Sequence, residues 1–105
     1  MEIAGAHRLS LDYESKCSNI HGHNWIVTVY CQSETLDENG MVIDFMHIKR
    51  DIHDRLDHRF INEVLMDLNP TAENIAKWIA EQIGPKCYRV TVQESEGNIA
   101  EWSIE

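Results

Sequence analysis

Seven consecutive residues, Cys17-Ser18-Asn19-Ile20-His21-Gly22-His23, put a thiol and two imidazoles close together in a chain of 105 residues. In extended backbone, side chains repeat with period two, so His21 and His23 point the same way. A third imidazole, His7, lies upstream in a separate apolar segment. Three histidines without another obvious ligand suit a catalytic zinc, whose fourth position stays open for water or substrate. Gly22 between the two imidazoles lets the backbone approach closely or take a positive φ. Cys17 has two roles open to it. It is either a further ligand in a Cys–His structural site, or a thiol acting as base or nucleophile beside the metal.

Two other places could carry chemistry. In Leu56-Asp57-His58, an acid stands next to an imidazole at the end of an expected helix. That pair either orients an imidazole for proton transfer or is simply a histidine favoured by the helix dipole. Glu94 continues the alternation of Val90 and Val92, so it is directed inward at a strand end. A carboxylate there needs a partner, and a ligand with adjacent N–H donors would supply one. His47 and His53 fall off the apolar stripe of their helix and read as solvated. Cys31 and Cys87 read as small strand residues.

The elements that must position these groups follow from periodicity. Glu2 to Leu9 reads as an opening strand with Ile3, Gly5 and His7 on one face, and Ser10 to Asn19 as a polar loop holding Cys17. Asn24 to Ser33 is the clearest strand, and its odd face (Trp25, Val27, Val29, Cys31) extrapolates back to His23 and His21. Asp37-Glu38-Asn39-Gly40 is a turn. Asp44 caps a helix whose expected core stripe is Phe45, Ile48, Ile52 and Leu56. Asn69-Pro70-Thr71 starts a second helix carrying Ile75, Ile79 and Ile83, and Gly84-Pro85 stops it. Cys87 to Gln93 is a third strand with Tyr88, Val90 and Val92 on one face, and Ile99 to Ile104 a fourth. The order ββααββ predicts an α+β domain with an antiparallel sheet whose exposed edges invite pairing with other copies.

Composition narrows the class. The length fits one domain, residues 1–105. Hydrophobic residues make up 43% and the net charge is −9, which argues against a nucleic-acid partner but not against a small anionic substrate. No apolar run approaches the ~20 residues of a membrane span. Three cysteines do not form a disulfide framework, so the expected compartment is the reducing cytoplasm.

Taken jointly, six segments resemble the 6-pyruvoyl-tetrahydropterin synthase superfamily, and most closely its bacterial branch making 6-carboxy-tetrahydropterin for queuosine biosynthesis. They are Gly5-Ala6-His7-Arg8-Leu9, Cys17 to Asn24, Gly40-Met41-Val42-Ile43-Asp44-Phe45, Leu56-Asp57-His58, Pro70-Thr71-Ala72-Glu73-Asn74-Ile75-Ala76 and Val90-Thr91-Val92-Gln93-Glu94. The resemblance implies the tunnelling fold, in which subunit sheets join into a trimeric barrel and two trimers stack into a homo-hexamer. It implies Zn²⁺ on His7, His21 and His23, Cys17 as catalytic thiol, Asp57 and His58 as a proton-moving pair, and Glu94 as anchor of the pterin ring. The implied substrate is 7,8-dihydroneopterin triphosphate, cleaved to 6-carboxy-tetrahydropterin, acetaldehyde and triphosphate. Three residues separate Cys17 from His21-Gly22-His23, and the pyruvoyl-forming relatives typically have a longer gap. Arg8 and Lys16 are cationic candidates for the triphosphate. The rival readings are a 6-pyruvoyl-tetrahydropterin synthase, a pterin-binding module without catalysis, and a zinc-stabilised structural domain.

Overall fold

The computed structural model describes residues 1–104 and contains a five-stranded sheet with helices on one face. The strands are β1 (Glu2–His7), β2 (His21–Cys31), β3 (Arg59–Phe60), β4 (Cys87–Ser95) and β5 (Asn98–Ser103), in the spatial order β3-β1-β2-β4-β5. All neighbours are antiparallel except β1 and β3, which run parallel. The two-residue β3 was invisible to periodicity, because pairing with β1 makes it a strand and not any pattern of its own.

The odd residues of β1 and β2 face the helices. Ile3, Trp25, Val27, Val90, Val92 and Ala100 from the sheet meet Ile52, Leu56, Ile61, Ile75 and Ile79 from the helices in one buried cluster. Above this face runs a helix over 45–56 made of α1 (Phe45–Ile48), a π-wound stretch (Lys49–His53) and α2 (Asp54–Leu56). Then come the short α3 (Ile61–Leu65) and α4 (Ala72–Ile83). Thr71 caps α4 by accepting the Asn74 N–H at 3.1 Å, and Gly84 ends it at φ 100°.

Two expectations of burial fail. Phe45 is not core: it is 85% exposed, in a first turn that borders an open apolar cavity of about 1150 Å³ with Met1, Leu36, Met41 and Met46. Tyr88 is not on the Val90 face either. The β2–β4 register shifts where Tyr30 pairs with Arg89 and Cys31 with Cys87, so Cys87 takes the buried place. Tyr88 instead packs its ring 6.1 Å from that of Tyr30. Among the described residues, no helix is long and apolar enough to cross a membrane.

Candidate metal centre and active site

The register of β1 on β2 builds the centre. His7 lies opposite His21, and Gly5 lies opposite His23, so three imidazoles converge on the helix-covered face. A Cβ at Gly5 would come within 2.9 Å of Ile61 Cδ1, so a larger residue there would have to push that side-chain end aside. Gly22 is under no such demand: its φ is not positive, and a Cβ would meet only the Gly5 carbonyl at 3.8 Å. Trp25 backs the centre, with its ring 4.9 Å from His7 and 5.1 Å from His23, and its indole N–H donates to the Gly5 carbonyl at 3.1 Å.

Hydrogen bonds fix the tautomers. His7 is fully buried and its Nδ1 lies 2.8 Å from the Pro70 carbonyl, while His21 Nδ1 lies 2.7 Å from the Asn19 carbonyl. A carbonyl only accepts, so both Nδ1 atoms carry the proton and both Nε2 atoms keep a free lone pair. Backbone carbonyls behind ligating imidazoles are a common outer support of metal sites. One ligand atom from each of His7, His21 and His23 lies within 4.8 Å of the others. The Nε2 atoms of His7 and His23 are buried with no hydrogen-bond partner. Such orphaned ring nitrogens call for an ion or a solvent partner, and the donor set fits a divalent metal. Burial, helped by the neighbouring imidazoles His21 and His23, lowers the His7 pKa despite the Pro70 carbonyl and Glu94, which holds it in the neutral form that binds metal.

Glu94 stands at the mouth of this centre. It continues the Val90 and Val92 face of β4, as the alternation predicts, and its carboxylate lies 3.3 Å from His23 Nε2. The contact falls within ion-pair distance but is not a hydrogen bond, so the nitrogen stays unpartnered. Glu94 and the three imidazoles thus belong to the same chain.

Cys17 sits in a 3₁₀ turn (Lys16–Ser18) capped by Ser15, whose Oγ accepts the Cys17 N–H at 3.1 Å. It is half-buried and outside the group of converging ligand atoms. Arg8 and Lys16 are exposed on adjoining segments, which are tied by the Leu9 N–H donating to the Cys17 carbonyl at 2.8 Å.

Asp57 and His58 are adjacent in space as in sequence. Asp57 Oδ1 accepts the Ala4 N–H at 2.9 Å, and Oδ2 accepts from His58 Nδ1 at 2.8 Å. These two bonds, the Ala4 one first, hold the Asp57 carboxyl below its ordinary pKa. His58 adopts φ 58°, and its N–H donates to the Ala4 carbonyl at 2.6 Å. Its side chain is 82% exposed beside a shallow cleft that Ala4, Gly5, Ala6, Gly22, His23 and Asn24 of β1 and β2 line. Among the described residues no hydrogen bond joins His58 to Cys17.

Sequence reasoning missed several supporting groups. His53 is not solvated: its Nε2–H donates to the Glu2 carbonyl at 3.1 Å, and the ring lies 4.0 Å from Asp57. The spacing of four between His53 and Asp57 was the available signal. The Pro70 and Asn19 carbonyls had none, since any residue offers a carbonyl.

A sequence profile described as 6-pyruvoyl tetrahydropterin synthase matches residues 1–105. The chain is 37% identical over 102 residues to the 6-carboxy-5,6,7,8-tetrahydropterin synthase of Synechocystis sp., covering 86% of this chain and 78% of that one. It is 28% identical over 111 residues to the enzyme of the same name from Bacillus subtilis, covering 90% and 75%. The structure of Caenorhabditis elegans 6-pyruvoyl tetrahydropterin synthase superposes with a TM-score of 0.76 at 27% identity, covering 100% of this chain and 91% of that one.

Proposed function

The chain belongs to the 6-pyruvoyl tetrahydropterin synthase family, and from that premise we propose that it is a zinc-dependent 6-carboxy-5,6,7,8-tetrahydropterin synthase. In this reading residues 1–105 form one catalytic domain of a cytoplasmic lyase. It converts 7,8-dihydroneopterin triphosphate to 6-carboxy-tetrahydropterin, acetaldehyde and triphosphate, a step toward queuosine. The observation that carries the proposal is the convergence of His7, His21 and His23, with the Nε2 atoms of His7 and His23 buried and unpartnered and the Glu94 carboxylate beside His23.

Each residue has a task that its surroundings support. Zn²⁺ held by the three imidazoles would polarise the substrate's side-chain oxygens and acidify the neighbouring C–H bonds. Glu94 accepts two N–H bonds from the pterin ring, a charge-assisted pair that orients the ring beside the metal centre. Cys17 takes a proton as thiolate. His58 presents Nε2, because Asp57 engages its Nδ1, and that nitrogen carries protons to and from the substrate. Arg8 and Lys16 meet the triphosphate.

In this reading Cys17 and His58 reach one substrate from different chains. The exposure of His58 at the β3 edge of the sheet supports a site assembled between subunits of a homo-oligomer, hexameric in this reading. The decisive experiment is incubation of the zinc-loaded protein with 7,8-dihydroneopterin triphosphate and identification of products by mass spectrometry. Carboxy-tetrahydropterin with acetaldehyde is expected. Pyruvoyl-tetrahydropterin as sole product would replace this reading with the pyruvoyl one, to which the Caenorhabditis elegans likeness lends some weight.

A further inference from the structure

Beyond His7, β1 has no strand on either side, yet the next three residues keep the hydrogen bonding of a strand. Asn62 grips Arg8: its Oδ1 accepts the Arg8 N–H at 2.9 Å and its Nδ2 donates to the Arg8 carbonyl at 2.9 Å. Asn69 grips Ser10 in the same way, accepting at 2.8 Å and donating at 3.0 Å. Between them Leu9 faces the other side and donates its N–H to the Cys17 carbonyl at 2.8 Å. A side-chain amide carries donor and acceptor in one plane, which is what a strand edge presents. The two asparagines therefore stand in for β3, and the Cys17 turn stands in for β2.

The clamp is anchored at both ends. Asn62 lies on α3, which follows β3 directly. The Asn69 carbonyl accepts from the Thr71 N–H at 2.8 Å and from Asn74 Nδ2 at 2.8 Å, which ties it to the start of α4. The next carbonyl, Pro70, orients His7. One corner of the fold thus sets the ring of a candidate metal ligand and the backbone of the candidate thiol.

We infer that Asn62 and Asn69 are positioning residues that fix where the Cys17 thiol stands relative to the imidazole centre. The inference rests on the proposed role of Cys17. All four amide bonds are solvent-exposed, and exposed hydrogen bonds contribute little to stability, so their loss shows in placement before it shows in folding. Misplacement of a reacting group by about 1 Å costs on the order of a hundredfold in rate.

The test compares zinc-loaded wild type with Asn62→Ala, Asn69→Ala and the double variant. Each single variant should lower kcat about tenfold, and the double about a hundredfold, with KM held within about threefold. Zinc content should match wild type, which excludes an effect routed through His7. The rate of Cys17 alkylation by iodoacetamide, read by peptide mass spectrometry, should change by at least about threefold, because it reports the thiol's surroundings. Asn62→Asp keeps the acceptor and loses the donor, so it should fall between wild type and Asn62→Ala. Wild-type kcat and wild-type alkylation in the double variant would overturn the inference. Should the alanine variants fail to fold, hydrogen exchange on the wild type decides: the Leu9 amide should be as protected as those of β1, and exchange at a free-loop rate would overturn the clamp. Cys17→Ala is measured in parallel. If it turned over like wild type, the catalytic role of the thiol would fall, while the alkylation rates in the asparagine variants would still judge the clamp.

Discussion

At the residue scale, the environment of each thiol separates one reactive candidate from two inert ones. Burial pushes the Cys31 thiol up to about 11, and burial raises that of Cys87 as well. Iodoacetamide near neutral pH should therefore modify Cys17 first and inactivate the enzyme, and bound substrate should protect it. Inactivation that tracks modification of Cys31 would contradict this. Cys17→Ala should keep zinc and substrate binding but lose turnover. Glu94→Gln should mainly weaken binding of a pterin analogue while leaving zinc in place, and unchanged affinity would reduce Glu94 to an ordinary strand-end acid. The Asp57 carboxyl has a definite pH signature. Its pKa is lowered in the folded state, so its stabilising bonds are fully present above the ordinary value of 3.8 and are lost as pH falls through the lower folded value. The stability difference between wild type and Asp57→Asn should be constant above that range and shrink as acid protonates Asp57. A difference that persists unchanged to the lowest pH would show that the charge plays no part.

At the scale of elements, the sequence spoke clearly where a simple period held and fell silent where the period was broken. The alternation of β2 runs unbroken from His21 to Val29, which is why the facing of His21 and His23 was legible from Trp25 and Val27 alone. Bulges defeat such counting, and Tyr88 was misplaced by one. The helix over 45–56 is the harder case. Ile48, Ile52 and Leu56 are four apart, and each step of four overshoots an α-turn by about 40°. The wider π-wound stretch takes up that overshoot, so all three reach the core while Phe45 does not. It also delivers Asp57 to the Ala4 N–H. Ile52 is fully buried at the centre of this arrangement, so Ile52→Ala should cost about 2–5 kcal/mol in urea unfolding. A cost near zero would mean that the π-wound stretch does not press on the core. The asparagine clamp was not legible, because its partners lie 54 and 59 residues apart and an amide carries no periodic signal.

At the scale of the whole molecule, the proposed site is assembled between subunits. His7, His21, His23 and Glu94 come together in one chain, while His58 stands exposed at the edge of its sheet. Mixing and reassembling Cys17→Ala with His58→Ala subunits should restore part of the activity that each lacks alone, since mixed boundaries would contain one intact set. No recovery after demonstrated subunit exchange would place both groups in a single chain's site. The claim on which all of this rests is that the three imidazoles hold the metal. Zinc measured per chain on the purified, folded protein tests it most directly, with the triple alanine variant at His7, His21 and His23 alongside. The account predicts about one zinc per chain in the wild type and none in the triple variant. Full zinc occupancy in the triple variant would contradict it.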